Sequence, residues 1–287
     1  MKIRDIYLQK RPVLSFEVFP PKKERGGGFE TLHDTLAQIA ELSPDFISVT
    51  CGVDGKSKTV DIADFIQKKY NILSLAHLTC IATSQSDIKN MLADMSERDV
   101  QNVLALRGDI PPDSRLSASS HYRYAEQLIH DLRTWERSLC IGAACYPEGH
   151  IDCDDIDMDI TYMKRKQEAG ADFFITQLFF ENDIFFRFLD RVRKAGVSAP
   201  VSAGIMPILS RAQIQRMIFM CGSSLPSRII KILSKYENSP EDLCKAGIEY
   251  TAMQALDLAA QGVDGVHVYT MNRPEIAHAC ANALNRI

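Results

Sequence analysis

The 287-residue chain has little excess charge of either sign, no long apolar run, and none of the common cysteine or glycine motifs. Each absence removes a class of function. A formal net charge of −4 and a pI near 6.0 leave no basic footprint for nucleic acid. No apolar run reaches the ~18 residues of a bilayer span, so no membrane partner is expected either. The opening MKIRDIYLQKRP lacks the apolar stretch of a secretory signal, and a cytoplasmic location is expected. The eight cysteines show no C-x-x-C and no paired Cys/His spacing of the zinc kind, so no metal site is expected. Several lie in apolar runs, where a thiol acts as a small hydrophobe. No G-x-G-x-x-G follows a strand-like run, which argues against a separate dinucleotide-binding unit. No Ser/Pro-rich linker or low-complexity tract divides the chain.

What is present is alternation. The composition is 46% hydrophobic, enough for a large core. Short β-rich runs occur at 13–19, 45–50, 73–79, 101–107, 139–145, 172–178, 200–205 and 264–269. Between them lie amphipathic segments such as FETLHDTLAQIAEL, SDIKNMLADMSERD, YRYAEQLIHDLRTWE, DITYMKRKQEAGA and DIFFRFLDRVRKAG, two of them stopped by Ala-Gly or Lys-Ala-Gly. Eight βα repeats in this length predict an α/β fold, a single (β/α)8 TIM barrel forming one domain over 1–287. The interval 206–263 is expected to hold the helices after strand seven, including an extra one.

That architecture gives meaning to SFEVFPPK, where Glu17 interrupts an otherwise buried run. Side chains alternate along a strand, so Ser15, Glu17 and Phe19 share one face while Phe16 and Val18 share the other. An inward carboxylate near the end of strand one lies at the barrel mouth, where this fold builds its sites. The same reading places His77 and Thr79 after strand three, Arg107 and Asp109 after strand four, Tyr146 and His150 after strand five, Gln177 on strand six, and Tyr269 and Arg273 after strand eight. Each has a plainer alternative. Glu17 can be a structural ion-pair partner, with Arg107 the candidate. His77 can be a satisfied core histidine, Gln177 can cap a neighbouring strand end, and Lys164-Arg165-Lys166 can be a solvated helix face. These alternatives weaken jointly, because the polar residues recur at one end of successive strands.

The segments SFEVFPPK, SVTCG, AHLTC, ALRGDIPP, YPEGH, FFITQLFF, AGIMPI and VHVYTMNR, taken in order, resemble the bacterial methylenetetrahydrofolate reductases over essentially the whole chain. The resemblance implies an enzyme that passes hydride from NADH or NADPH through FAD to 5,10-methylenetetrahydrofolate, giving 5-methyltetrahydrofolate for one-carbon and methionine metabolism. It also implies a homo-oligomer. The folate methylene is closed into a five-membered ring that must be protonated open before hydride can attack. The acid must keep its proton near neutral pH, which an apolar surround favours, and both the flanking residues and the resemblance point to Glu17. By resemblance, the Gly108-Asp109 loop lies against the flavin, with Asp109 ionised to tune its potential and favour the folate cation. Arg107 is expected to contact FAD.

By the same resemblance Thr59, His77, Tyr124, Ala125, Ala144, Tyr146 and His150 are flavin, ribityl or adenosine contacts. Asp159, Arg165 and Lys166 follow on the next helix, with the basic pair suited to the FAD diphosphate. Tyr162 departs from the small amide that the family often carries there, at the adenosine end. Gln177 is placed to bond the pterin, while Gln213 and Arg273 are near the aminobenzoate and glutamate portions. Met217 packs against the bound ring. With no second nucleotide unit, nicotinamide and folate are expected to alternate in one pocket, which predicts ping-pong kinetics. Two other classes stay open: a flavin-bearing electron-transfer subunit that depends on a partner protein, and a cofactor-free structural or binding barrel.

Overall fold

The computed structural model describes residues 1–21, 29–51, 58–81, 83–108 and 121–285. Eight parallel strands close in sequence order into a barrel: β1 (Val13–Val18), β2 (Phe46–Val49), β3 (Leu73–Thr79), β4 (Asn102–Leu106), β5 (Cys140–Cys145), β6 (Phe173–Thr176), β7 (Val201–Ile205) and β8 (Gly265–Tyr269). Each of the eight expected runs contains one of these strands. β1 meets β8 with Ser15 opposite His267 and Glu17 opposite Tyr269, which completes the ring.

Helices α2 (Phe29–Ala40), α3 (Thr59–Tyr70), α4 (Gln85–Glu97), α5 (Ala125–Trp135), α6 (Ile156–Ala169) and α7 (Asn182–Lys194) follow β1 to β6. The interval between β7 and β8 holds three helices, α8 (Arg211–Cys221), α9 (Ser227–Lys235) and α10 (Pro240–Ala260), two more than a single crossover needs. The chain then ends in α11 (Pro274–Leu284). α6 stops at Gly170, whose φ of +119° lies in the left-handed region expected of a helix-ending glycine.

Alternation along the strands separates two cores. Outward residues such as Phe16, Val18, Ile47 and Val49 pack with Leu36, Ile39, Ile62 and Ile66 of the surrounding helices. Inward residues Val13, Phe46, Leu75, Leu104, Cys140 and Phe173 fill the lower barrel. A short helix, α1 (Ile3–Ile6), closes that lower end. Its Ile3 and Ile6, with the following Tyr7, join the inner cluster, and Tyr7 bonds Ser202 Oγ at 2.8 Å. Ile3 N donates to Asn102 Oδ1 at 3.0 Å, so the plug is fixed by directed bonds as well as apolar contact. This plug leaves the other end of the barrel, among the described residues, as its mouth.

Candidate active site

Glu17 reaches the inside of that open mouth because the end of β1 is stitched to the turn after β8. Thr270 Oγ1 donates to Glu17 O at 2.6 Å. Asn272 grips the backbone of Phe19 twice, accepting from its N and donating to its O, each at 2.8 Å. The Glu17 side chain is 8% exposed, and its Oε2 lies 3.6 Å from the Nε2 of both His77 and His267. Each ring has a serine beside it. Ser48 Oγ is 2.5 Å from His77 Nε2, and Ser15 Oγ is 2.7 Å from His267 Nδ1.

Burial pushes His77 down to about 4, with Glu17 opposing the shift and His267 adding to it. The ring is neutral near pH 7. Tyr269 crosses the barrel and donates to Thr176 O at 2.7 Å. Its path runs over Gly204, where a Cβ would stand 2.3 Å from Thr176 O and 2.8 Å from the Tyr269 hydroxyl, so this position requires glycine. Burial, with Glu17 adding, raises the Tyr269 phenol well above its ordinary value, which keeps it a neutral donor. Glu17 thus lies beside two imidazoles, with Tyr269 following on the strand paired to its own. Arg107, its candidate ion-pair partner, points elsewhere and binds Asp152 Oδ2 at 2.8 Å.

A second cluster lies beyond β4 and β5. Lys166 is half-buried; its ammonium donates to Ala144 O at 2.9 Å and stands 5.6 Å from the Tyr146 ring centre. Desolvation lowers its proton affinity, although Cys145, Asp159 and Glu126 oppose this. Among the described residues it makes no ion pair. His150 packs edge-on to Tyr146 at 4.7 Å, and its backbone N donates to Asp159 Oδ2. Burial, aided by Arg107, lowers its imidazole. Gly108, at φ +86°, would bring a Cβ within 3.0 Å of Thr79 Cβ, so the start of this loop also needs glycine. Asp109 lies outside the described residues.

The remaining candidates separate. Thr59 begins α3 and donates to Thr50 O at 2.9 Å. Tyr124 is exposed at the N-cap of α5, with Ala125 next to it. Arg165 does not converge with Lys166. It lines a cavity of about 510 Å³ between α5 and α6, together with His121, Tyr122 and Glu126, and lies over the Tyr162 ring at 5.7 Å. Successive helical residues are turned by about 100°, which accounts for the split. Gln177 N donates to Cys145 O, and its Oε1 accepts from Leu178 N at 2.8 Å. That bond occupies the amide oxygen. Gln213 spends both ends locally, accepting from Leu209 N at 2.7 Å and donating to Pro207 O at 3.1 Å. Met217 packs in an apolar cluster with Leu178 and Ile214. Arg273 is held by Glu275 at 2.6 Å and by Cys244 Sγ at 3.4 Å.

The sequence reading passed over His267, although the inward alternation Gly265, His267, Tyr269 marks it. It also left out Asp152, the partner of Arg107. All eight cysteines are free, and Cys80, Cys140, Cys145 and Cys280 are buried.

The methylenetetrahydrofolate reductase family description matches residues 2–285. The chain belongs to this family. A methylenetetrahydrofolate reductase of Schizosaccharomyces pombe is 34% identical over 281 residues, covering 95% of this chain and 46% of the fungal protein. An NADH-dependent methylenetetrahydrofolate reductase by name, from Arabidopsis thaliana, is 31% identical and covers 94% and 48%. The chain thus spans about half the length of these relatives. The 5,10-methylenetetrahydrofolate reductase of Pectobacterium carotovorum is 30% identical over 96% of this chain and 91% of its own length. A solved structure from Clostridium thermocellum, described as binding two copies of 5-methyl-5,6,7,8-tetrahydrofolic acid, superposes with a TM-score of 0.67. It covers 99% of this chain and 97% of its own at 16% identity, a likeness of fold alone. Among the described residues, no helix is long and apolar enough to cross a membrane.

Proposed function

We propose that the protein reduces 5,10-methylenetetrahydrofolate to 5-methyltetrahydrofolate, using NADH or NADPH as hydride donor and FAD as resident cofactor. The observation that carries this reading is the buried Glu17 carboxyl inside the barrel, its Oε2 3.6 Å from the Nε2 of both His77 and His267. In this reading Glu17 is the general acid that delivers a proton to the substrate. Its Oε2 faces the two histidines, which leaves Oε1 for the folate. Transfer of that proton to N10 breaks the N10–methylene bond and leaves an N5 iminium cation, whose carbon then accepts hydride to become the methyl group. Gln177 presents its amide nitrogen to an acceptor on the pterin edge.

The second cluster fits FAD. A half-buried lysine whose charge has no ion-pair partner among the described residues suits a diphosphate, with Tyr146, His150 and Ala144 around it. When bound, FAD would supply the two-electron carrier between nicotinamide and folate. No G-x-G-x-x-G follows a strand to mark a separate nucleotide unit, so in this reading the two substrates use the barrel mouth in turn and the kinetics are ping-pong. Asp109 and Arg107 complete the flavin side of this reading.

The test is the purified chain with FAD. A yellow protein bleached by NADH, and restored by 5,10-methylenetetrahydrofolate with formation of 5-methyltetrahydrofolate, is the expected result. A protein that stays colourless after incubation with FAD would sink it. One bleached by NADH but unresponsive to folate would point to a flavin-bearing electron carrier instead.

A further inference from the structure

His267 stands out among the buried groups. It is fully buried, yet its Nε2 has no hydrogen-bond partner among the described residues. An unpaired buried nitrogen is costly and calls for an explanation. The ring cannot easily turn that atom elsewhere. Ser15 Oγ holds Nδ1 at 2.7 Å, Phe46 lies parallel at 6.3 Å, and Tyr269 stands edge-on at 5.1 Å. What the free nitrogen faces is Glu17 Oε2, at 3.6 Å.

We propose that His267 is a positioning residue for Glu17, its Nε2 engaging Oε2 and so directing Oε1 toward the substrate. The inference rests on the folate-reductase reading of Glu17. A separation of 3.6 Å is long for a hydrogen bond, but such contacts in empty sites tighten when substrate binds. His77 is differently placed, because its Nε2 already meets Ser48 Oγ at 2.5 Å. Ser15 supplies a hydroxyl that can donate to Nδ1 or accept from it. Either neutral tautomer is therefore supported. With the proton on Nδ1, Nε2 accepts from the neutral carboxyl; with it on Nε2, the ring donates to the carboxylate. Among the described residues, the titratable groups facing Glu17 in this pocket are His77 from β3 and His267 and Tyr269 from β8.

Two amide replacements separate positioning from packing. His267→Gln places a nitrogen near the position of Nε2, whereas His267→Asn reaches only as far as Nδ1 and can keep the bond to Ser15. Reduced, FAD-loaded protein is mixed with 5,10-methylenetetrahydrofolate across a pH series, and reduction of each variant by NADH is followed separately. Loss of alignment at a proton donor costs about 100-fold. His267→Asn should show a loss of about that size in the folate step, with a displaced pH profile, and His267→Gln should recover about tenfold of it. In both variants the folate step should fall by more than the NADH step. A second arm needs neither FAD nor turnover: in unloaded protein labelled with ¹⁵N-histidine, Glu17→Gln should move the Nε2 resonance of His267. Equal loss in the two variants, equal loss in the two half-reactions, or a His267 signal indifferent to Glu17→Gln would each overturn the proposal. If the unsubstituted protein reduces no folate, the functional reading fails by itself, and the resonance arm still decides whether the two side chains are coupled.

Discussion

The two halves of the barrel mouth solve opposite electrostatic problems. On the side of β1, β3 and β8, a carboxyl lies beside two imidazoles, each held by a serine hydroxyl, with no lysine or arginine in contact among the described residues. On the side of β5 and α6, a half-buried lysine meets a carbonyl and an aromatic ring, with no carboxylate in contact among the described residues. A structural pairing of the two would satisfy both charges. Among the described residues the two are kept apart, and the proposed function gives each a partner that is not protein: a transferable proton in one half, an anionic ligand in the other. Buried charge kept from its natural partner is weak evidence for stability and better evidence for a site.

The largest effect that can test this contrast is Glu17→Gln. The amide keeps the shape and loses the proton, so folate reduction should fall by about 100- to 10,000-fold, the range of general acid catalysis. Reduction by NADH involves no ring to open and should be largely spared. Equal loss of both half-reactions in stopped-flow records would assign Glu17 to structure.

The carboxyl half also predicts a pH dependence of stability. His77 is depressed from 6.5 to about 4 in the folded protein. Between those values the unfolded chain takes up a proton that the folded chain refuses. Its contribution is therefore complete above about pH 6.5 and lost as pH falls toward 4, a total of about 3 kcal/mol. Denaturant midpoints measured across that window should fall less steeply in His77→Gln. An unchanged slope would mean that other groups carry the acid limb.

In the lysine half, Lys166→Met should separate ligand binding from folding. Charged hydrogen bonds contribute about 1.5–3 kcal/mol, so FAD affinity should weaken by roughly 10- to 150-fold. The unloaded protein should melt no lower, because a desolvated charge has been removed. A lower melting temperature without FAD would show that Lys166 is structural.

The smallest expected effect is that of Gln177→Ala. Its amide nitrogen is one donor among several contacts, and folate binding should weaken by about 1 kcal/mol while NADH binding changes less. Equal weakening of both would remove the distinction between the two substrates at this residue.

How much of this was legible in the sequence depended on the range of the interaction. The barrel was legible because strand and helix periods are local, and Glu17 was placed inward by a two-residue alternation alone. The short α1 carries four residues and little periodicity, so its role as a plug follows from contacts with distant strands. The tie from Asn272 to Phe19 spans 253 positions, and nothing within either segment announces the other. The sequence offers Glu17 as a partner for Arg107, whereas the fold brings it Asp152 from another loop. Arg165 and Lys166 read as one basic pair because they are adjacent, but the helix turns them to different faces. Gln177 was recognisable as a polar residue at a strand end; which end of its amide faces outward depends on Leu178 N, a backbone detail that sequence does not resolve.

The stitch between β1 and the turn after β8 also has a consequence in time. Glu17 leaves the ribosome early, while Thr270 and Asn272, which anchor its strand end, are made about 250 residues later. At synthesis rates of about 5–20 residues per second, that is a delay of roughly 13–50 s. Until β8 is made the nascent barrel cannot close, and once β7 has emerged the edges of β1 and β7 stand open to other chains. Glu17 is consequently set in place at the same moment that these exposed edges disappear, so a chain interrupted before residue 265 would lack the anchor of β1 and be prone to associate.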